Sequence, residues 1–266
     1  MSKNCITTMV NGWYKHFIPM FEYSAKKAMP DVDVRVYDMD KTFPGYHRSS
    51  VNALRFFVDP KEFKGYDYVY FTDVDFIFLP HDNSLFDYHT TILNVQGYSG
   101  HRGPINARNR KFKAWDGDRA RIAAGAFMVN QKWFKRTERT RKGILPVIMN
   151  GVNLREADEI LLQKILVESG YKIPTKAGRF CDGHKYNIKY RDIHLGDFKP
   201  LFSRWKDIKK MRRRFLCDSN VIAYQELKKD PVWIEIVQKA CENKHVNNII
   251  RNMRWHMRQR LKCIYS

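Results

Sequence analysis

One apolar stretch with two aspartates at its centre constrains the fold of this chain more than any other. Residues 68–79 have the sequence YVYFTDVDFIFL, with Gly65 shortly before them and Pro80 directly after. The β-branched and aromatic residues around the aspartates predict a buried strand followed by a second extended segment. Residues i and i+2 of a strand point to the same side, so Asp73 and Asp75 are expected to converge at the end of this strand.

Two carboxylates in so apolar a setting are costly to bury unless something compensates their charge. A hard divalent cation such as Mg²⁺ or Mn²⁺ takes oxygen ligands and often shares them with substrate phosphates. The stretch therefore predicts a metal site at Asp73 and Asp75. The alternative is a pair of loop aspartates that cap a turn, which is common chemistry for this residue type.

Length and composition allow a globular domain with a substantial core, because the chain has 266 residues and is 44% hydrophobic. The chain has no apolar run of about 18 residues, so no membrane span is predicted. The first residues do not resemble a secretory signal. Scattered cysteines without metal-binding spacing favour a reduced, cytoplasmic protein. They are Cys5, Cys181, Cys217, Cys241 and Cys263.

The net charge of the chain is its unusual property. Lysine and arginine number 48 against 28 aspartate and glutamate residues, which gives a formal charge of +20. Such a surplus favours an anionic partner, and nucleic acid, an anionic membrane surface and phosphorylated substrates all remain open.

The order of elements predicts an α/β fold. A strand at residues 6–10, a helix at 13–29 that Pro19 bends or delays, and a strand at 33–37 form the opening of a parallel sheet. A helix is expected at residues 51–58, before the aspartate-bearing strand. We therefore predict a single Rossmann-like domain with a mostly parallel central sheet flanked by helices, and open sheets of this kind bind ligands at the carboxyl ends of their strands.

The second half of the chain adds acidic and histidine-containing segments. Residues 97–121 form a long irregular segment, and residues 122–129 (IAAGAFMV) predict another strand with small residues at its start. A helix is expected at 156–170, and Asp158 and Glu159 in its first turn would interact favourably with the helix dipole whatever else they do. His194 lies in a turn-rich segment, and a lone histidine is more often structural than a metal ligand.

The C-terminal region is predicted to be helical and basic. Residues 204–214 (RWKDIKKMRRR) are strongly basic, and Asp230 with Pro231 predicts a helix start. From residue 246 onward, apolar residues at helical spacing alternate with arginines, which predicts a basic amphipathic helix. We therefore expect a catalytic domain at residues 1–205 and a basic helical extension at 206–266.

Four segments, taken in order, carry a resemblance to a known family. They are residues 52–55 (NALR), residues 70–75 (YFTDVD), residues 123–127 (AAGAF) followed by Asp158 and Glu159, and residues 194–200 (HLGDFKP). In this combination the chain resembles GT-A fold nucleotide-sugar glycosyltransferases of the retaining glycogenin and lipooligosaccharide galactosyltransferase type. The Asp-Glu pair at 158–159 is similar to that of the retaining blood-group transferases.

The resemblance implies a hexosyltransferase that moves a sugar from a nucleotide-sugar, expected to be a UDP-sugar, to a glycan or glycolipid acceptor with retention. It implies Mn²⁺ or Mg²⁺ as cofactor, with Asp73, Asp75 and His194 as metal ligands. Glu159 is then the first candidate for the carboxylate that faces the anomeric carbon, and Asp158 the second. Donor contacts are implied for Thr8, Asn11, Tyr14, Arg55 and Lys199.

The basic tail suggests attachment to the inner face of a membrane, because each basic residue near an anionic surface contributes on the order of 1 kcal/mol. Two alternatives stand beside the transferase hypothesis. One is a basic nucleic-acid-binding protein, although no helix-turn-helix, zinc or RNA-binding motif supports it. The other is a non-catalytic scaffold with the same fold.

Overall fold

The computed structural model describes residues 2–47, 53–80, 85–100, 125–150, 157–173, 192–198 and 218–264. The chain forms two compact units. Unit 1 comprises Met1–Asn11, Asp33–Asp73 and Asn83–Tyr186, and unit 2 comprises Gly12–Val32, Val74–Asp82 and Asn187–Ser266. The predicted boundary between residues 205 and 206 falls outside the described residues and stays a prediction.

Most of the described residues lie in strands, helices and 3-10 turns. The strands are β1 (Asn4–Val10), β2 (Asp33–Asp38), β3 (Tyr68–Thr72), β4 (Phe76–Phe78), β5 (Ser99–Gly100), β6 (Ala126–Asn130) and β7 (Asp192–His194). The α-helices are α1 (Ile18–Ala28), α2 (Met39–Thr42), α3 (Leu85–Gln96), α4 (Gln131–Met149), α5 (Ala157–Glu168), α6 (Asp218–Leu227), α7 (Pro231–Ala240) and α8 (Lys244–Ile264). The 3-10 turns are Gly12–Phe17, Ala53–Phe57, Pro60–Phe63 and Leu195–Phe198.

The central sheet belongs to unit 1 and has the strand order β2-β1-β3-β6-β5. Strand β1 pairs in parallel with β2 and with β3, which confirms the parallel opening predicted from the sequence. Strand β6 runs antiparallel to both β3 and β5, so the sheet is mixed. The α/β class with a central sheet flanked by helices is therefore confirmed.

Side-chain alternation along β3 lets helices cover both faces of this sheet. On one face, Phe71 packs against Phe56 of the Ala53–Phe57 turn, with ring centroids 5.6 Å apart, and against Trp133 of α4 at 6.4 Å. On the opposite face, the Tyr70 ring lies 5.1 Å from that of His89 in α3. Both β3 aromatics are almost fully buried, which fixes the register of the strand that leads into Asp73.

Unit 2 has a core of its own around α1. Phe21 of α1 packs edge-on against Phe78 of β4 at 5.6 Å, and the Ser24 hydroxyl accepts a hydrogen bond from the Phe78 amide at 3.1 Å. Tyr23, on the same helix, lies 6.2 Å from Trp233 of α7. Strand β4 pairs with β7 in a separate two-stranded antiparallel sheet.

The C-terminal helix α8 is amphipathic, as predicted, and its apolar face is buried within unit 2. Asn252 of this helix donates a hydrogen bond to the Phe198 carbonyl at 3.2 Å, which ties it to the turn after β7. The buried apolar residues are Val246, Ile249, Ile250, Met253 and Met257. Across the described segments, no helix has both the length and the apolar composition needed to cross a bilayer.

Two sequence predictions differ in detail from the structure. The helix expected at residues 13–29 consists of the 3-10 turn Gly12–Phe17 followed by α1, which has Pro19 in its first turn, so the proline delays the α-helix. The described part of the helix expected at 51–58 is the 3-10 turn Ala53–Phe57. All five of its side chains are buried, so the segment lacks the polar face of an amphipathic surface helix.

Candidate functional site

Asp73 follows directly after β3 and is ion-paired in unit 1. The Arg55 Nη1 atom lies 2.5 Å from Asp73 Oδ1. The Arg55 side chain is only 8% exposed, whereas that of Asp73 is 30% exposed. The pair thus has a buried cation and a carboxylate that still reaches solvent, which leaves Asp73 accessible to a ligand.

Asp158 is the second carboxylate on the same arginine. Arg55 Nη2 lies 3.5 Å from Asp158 Oδ2, at the start of α5. Burial raises the pKa of the Asp158 carboxyl, the positive charge of Arg55 acts to lower it, and the negative charge of Asp73 raises it further. Desolvation is the largest of these effects, so the charged form of Asp158 is held at a cost in free energy. Glu159, next to it, is half-buried.

Asp75 and His194 are brought together in unit 2 by the pairing of β4 with β7. The Leu195 amide donates to the Asp75 carbonyl at 2.7 Å, and Phe76 lies opposite His194 in the register. His194 Nε2 lies 3.3 Å from Asp75 Oδ1, and the imidazole stacks on the Phe76 ring at 4.7 Å. The histidine ring is therefore fixed against a carboxylate that is 3% exposed.

Asp73, Asp75 and His194 each offer one ligand atom, and these atoms all lie within 4.8 Å of one another. Two carboxylates and an imidazole suit Mn²⁺ or Mg²⁺, with further positions left for water or phosphate oxygens. The chain thus holds an Asp-Asp-His cluster that could bind a divalent metal.

Two glycines make room for these ligand groups. A Cβ at Gly196 would lie 2.6 Å from His194 Nε2 and 3.1 Å from Asp75 Oδ2, and a Cβ at Gly125 would overlap the Asp73 carboxylate. Any larger residue at either position would have to displace a ligand atom. The glycines therefore fit a site whose ligands need space. For Gly125 the small residues at the start of the strand predicted at 122–129 indicate such a close approach in the sequence.

The remaining predicted donor contacts lie in different environments. The Thr8 side chain is buried in β1. Asn11 donates to the Tyr46 hydroxyl at 3.1 Å, and that hydroxyl donates to Asp40 Oδ1 at 3.0 Å. Tyr46 and Asp40 were not predicted from the sequence, because only the fold brings α2 and the residues after it to Asn11.

Tyr14 and Lys199 complete the predicted set. Tyr14 stacks on Trp13 in the Gly12–Phe17 turn of unit 2, with ring centroids 4.2 Å apart. Lys199 lies outside the described residues, as do Asn52 and residues 123–124 of the motifs that carried the resemblance. Their roles stay predictions.

Fold and site together define an α/β protein with an Asp-Asp-His cluster that starts at the carboxyl end of a central parallel strand. No protein-family model matches the chain, and no curated protein sequence matches it. Solved structures do match it, and several glycosyltransferases are among them.

The chain is similar to an active-site mutant of LgtC, with 17% identity over 60% of this chain and 69% of that chain, at a TM-score of 0.39. LgtC is a galactosyltransferase. The chain is also similar to apo GlyE, a glycosyltransferase of Streptococcus pneumoniae, with 15% identity over 63% of this chain and 44% of that chain, at a TM-score of 0.41. A glycosyltransferase involved in glycosylation of the major capsid of PBCV-1 matches with 10% identity over 58% of this chain and 72% of that chain, at 0.41.

Proposed function

We propose that this protein is a metal-dependent glycosyltransferase that moves a sugar from a nucleotide-sugar, by preference a UDP-sugar, to a glycan or glycolipid acceptor. The observation that carries the proposal is the convergence of the ligand atoms of Asp73, Asp75 and His194 within 4.8 Å. One of these ligands, Asp73, is also ion-paired with the buried Arg55. A nucleotide diphosphate needs such a combination of metal-binding carboxylates and fixed cations.

In the proposed mechanism, Asp73, Asp75 and His194 would hold the metal through their carboxylate and imidazole groups. A bound divalent metal would supply Lewis-acid stabilisation of the departing diphosphate. Arg55 would keep the Asp73 carboxylate in place and reach donor oxygens, and Lys199 would add a second cation. Thr8, Asn11 and Tyr14 would contact the nucleoside.

A carboxylate beneath the anomeric carbon would stabilise the oxocarbenium-like charge of the reacting sugar. Glu159 is proposed for this role because it is half-buried beside Asp158 at the start of α5. Asp158 is the second candidate for this role. Because Arg55 already engages one oxygen of the Asp158 carboxylate, Asp158 is alternatively proposed to orient donor hydroxyls. Retention is proposed from the resemblance in the sequence.

The proposal is tested by thermal shift of the full chain with UDP, GDP and their sugars, with and without Mn²⁺. A ligand that binds only the native state at about 100 times its Kd adds about 2.7 kcal/mol of stability. This corresponds to a rise in Tm of roughly 5–10 °C in a protein of this size. We expect UDP to raise Tm only with Mn²⁺, and Asp75→Ala to abolish the rise.

The exposed Asp31→Ala variant is the control for this experiment and should respond as the wild type does. Absence of any nucleotide-dependent shift would reject the proposal. A steep loss of binding to random DNA with added salt would then favour the nucleic-acid alternative. Nucleotide binding without sugar transfer would favour the non-catalytic scaffold.

A further inference from the structure

Arg141, in the middle of α4, is a buried arginine outside the proposed catalytic set. The residue is 5% exposed. Its Nε donates to the Thr137 hydroxyl at 3.1 Å and its Nη2 to the Phe134 carbonyl at 3.2 Å, both on α4 itself. Its Nη1 reaches a different element and donates to the Phe56 carbonyl at 3.4 Å. The guanidinium thus connects α4 to the Ala53–Phe57 turn.

Burying this cation is expensive. Burial lowers the pKa of the Arg141 guanidinium to about 10, and the negative charges of Glu138 and Asp59 offset this only partly. Among the described residues, no carboxylate lies within ion-pair distance of Arg141, which rests near the rings of Trp133 and Phe134. An apolar side chain of similar volume would pack at this position without the desolvation cost. The hydrogen bonds that only an arginine can make are therefore the reason to look for a role of this residue beyond core packing.

The turn that Arg141 holds is the one that carries Arg55. A 3-10 turn has poor internal hydrogen-bond geometry, so external contacts decide how well it is fixed. The Phe56 ring packs against those of Phe71 and Phe127, at centroid distances of 5.6 and 6.0 Å. The Phe56 carbonyl accepts the hydrogen bond from Arg141. Arg55, one residue earlier, projects to Asp73 and Asp158.

We infer that Arg141 is a positioning residue, which fixes the Ala53–Phe57 turn from α4 and thereby holds Arg55 in place for the donor diphosphate. This inference rests on the proposed function for its link to the donor. Arg141 acts on ligand binding through Arg55, so its effect must vanish when Arg55 is absent. A residue that only filled the core would instead change stability without regard to Arg55.

A double-mutant cycle tests this coupling. The UDP affinity at saturating Mn²⁺ is measured by calorimetry for wild type, Arg55→Met, Arg141→Met and the double variant. Loss of one charge-assisted contact is expected to weaken UDP binding about tenfold in Arg55→Met. Arg141→Met should weaken it several-fold in the wild-type background and not at all in the Arg55→Met background. Equal effects in both backgrounds would overturn the inference.

Two further variants complete the design. Arg139→Met removes an exposed arginine of the same helix and should leave UDP affinity unchanged. Arg141→Lys keeps a cation and a donor, so it should recover part of the lost affinity, and it replaces the methionine variant in the cycle if that variant does not fold.

Amide hydrogen exchange separates failure of the inference from failure of the proposed function. Exchange at residues 53–57 should be faster in Arg141→Met than in Arg139→Met, whether or not any nucleotide binds. Unchanged exchange there would overturn the inference. A wild-type chain that binds neither Mn²⁺ nor UDP would instead overturn the proposed function, and the exchange measurement would still decide whether Arg141 holds the turn.

Discussion

At the scale of single residues, burial disfavours the charged form of the Asp158 carboxyl. Its pKa is raised above the ordinary value of 3.8, chiefly by burial. When the pKa of a carboxyl is higher in the folded protein than in the unfolded protein, its contribution to folding stability is most favourable below the unfolded pKa. That contribution is lost as the pH rises through the folded pKa. We therefore expect Asp158→Asn to raise Tm at pH 7 by roughly 2–4 °C, the effect of about 1 kcal/mol in a protein of this size.

The pH dependence distinguishes this cause from a general effect of the substitution. As the pH falls below 3.8, the wild-type carboxyl becomes protonated in the unfolded state as well as in the folded state, so the difference in Tm between Asp158→Asn and wild type should be smaller at pH 3.5 than at pH 7. Asp87→Asn, at an exposed position of α3, should show no comparable difference at either pH. A lower Tm for Asp158→Asn at pH 7 would mean that its contact with Arg55 outweighs desolvation.

The residue scale also shows what the sequence could predict about the site. Asp73 and Asp75 were predictable because they interrupt an apolar run at a spacing of one residue. The contact of Arg55 with Asp158 joins residues 103 positions apart, so only the fold reveals it. The same holds for Arg141, which in the sequence is one of many basic residues and in the structure is buried against the Phe56 carbonyl.

At the scale of elements, the start of α7 depends on one carboxylate. Asp230 accepts the Val232 amide at 3.0 Å as the N-cap, accepts the Tyr23 hydroxyl at 2.6 Å, and is ion-paired with Lys27 of α1. The hydrogen bond from Lys27, followed by that from Tyr23, lowers the pKa of Asp230 to about 2. The carboxylate therefore joins α7 to α1 within unit 2 as well as capping the helix.

Asp230→Asn should lower Tm at pH 7 by a small amount, because asparagine keeps the cap and loses the charge. A depressed pKa gives stability above the unfolded value of 3.8 that is lost as the pH falls toward 2. The difference in Tm between variant and wild type should therefore narrow as the pH is lowered over this range. Lys27→Met should produce the same loss at pH 7, and an unaltered Tm in both variants would show that the pair contributes nothing measurable.

Elements were predictable where local signals agreed and were missed where tertiary contacts decided. Asp230 with Pro231 marks the start of α7 in the sequence and in the structure. Helix α4 was not predicted, because its 19 residues include many charges and Pro146 in the last turns. Its helical structure is stabilised by the burial of Trp133 and Phe134, which only the fold reveals. Strand β4 was predicted as extended, but its pairing with β7 could not be deduced, since more than a hundred residues separate Phe78 from Asp192.

At the scale of the whole molecule, part of the excess positive charge lies on the exposed side of α8. This helix contains no acidic residue. Its exposed side chains include Arg251, Arg254, Arg258 and Lys262, and Trp255 is 43% exposed among them. Because the apolar face of α8 is buried, contact with a membrane would have to be electrostatic, through this outer face, with the tryptophan at the lipid headgroups.

We expect Arg251→Gln, Arg254→Gln and Arg258→Gln, combined in one variant, to weaken binding to vesicles containing phosphatidylserine. Three basic residues contribute about 3 kcal/mol near such a surface, so the affinity should fall about a hundredfold in co-sedimentation at low salt. Substitution is preferable to deletion of the tail, which would also remove five buried apolar side chains. The matched control replaces Lys135, Arg139 and Lys142, which are exposed on α4, by glutamine. Equal losses of vesicle binding in both variants would mean that net charge alone attracts the protein to the membrane. If the α8 variant instead lost binding to random DNA and kept binding to vesicles, the outer face of α8 would be assigned to nucleic acid.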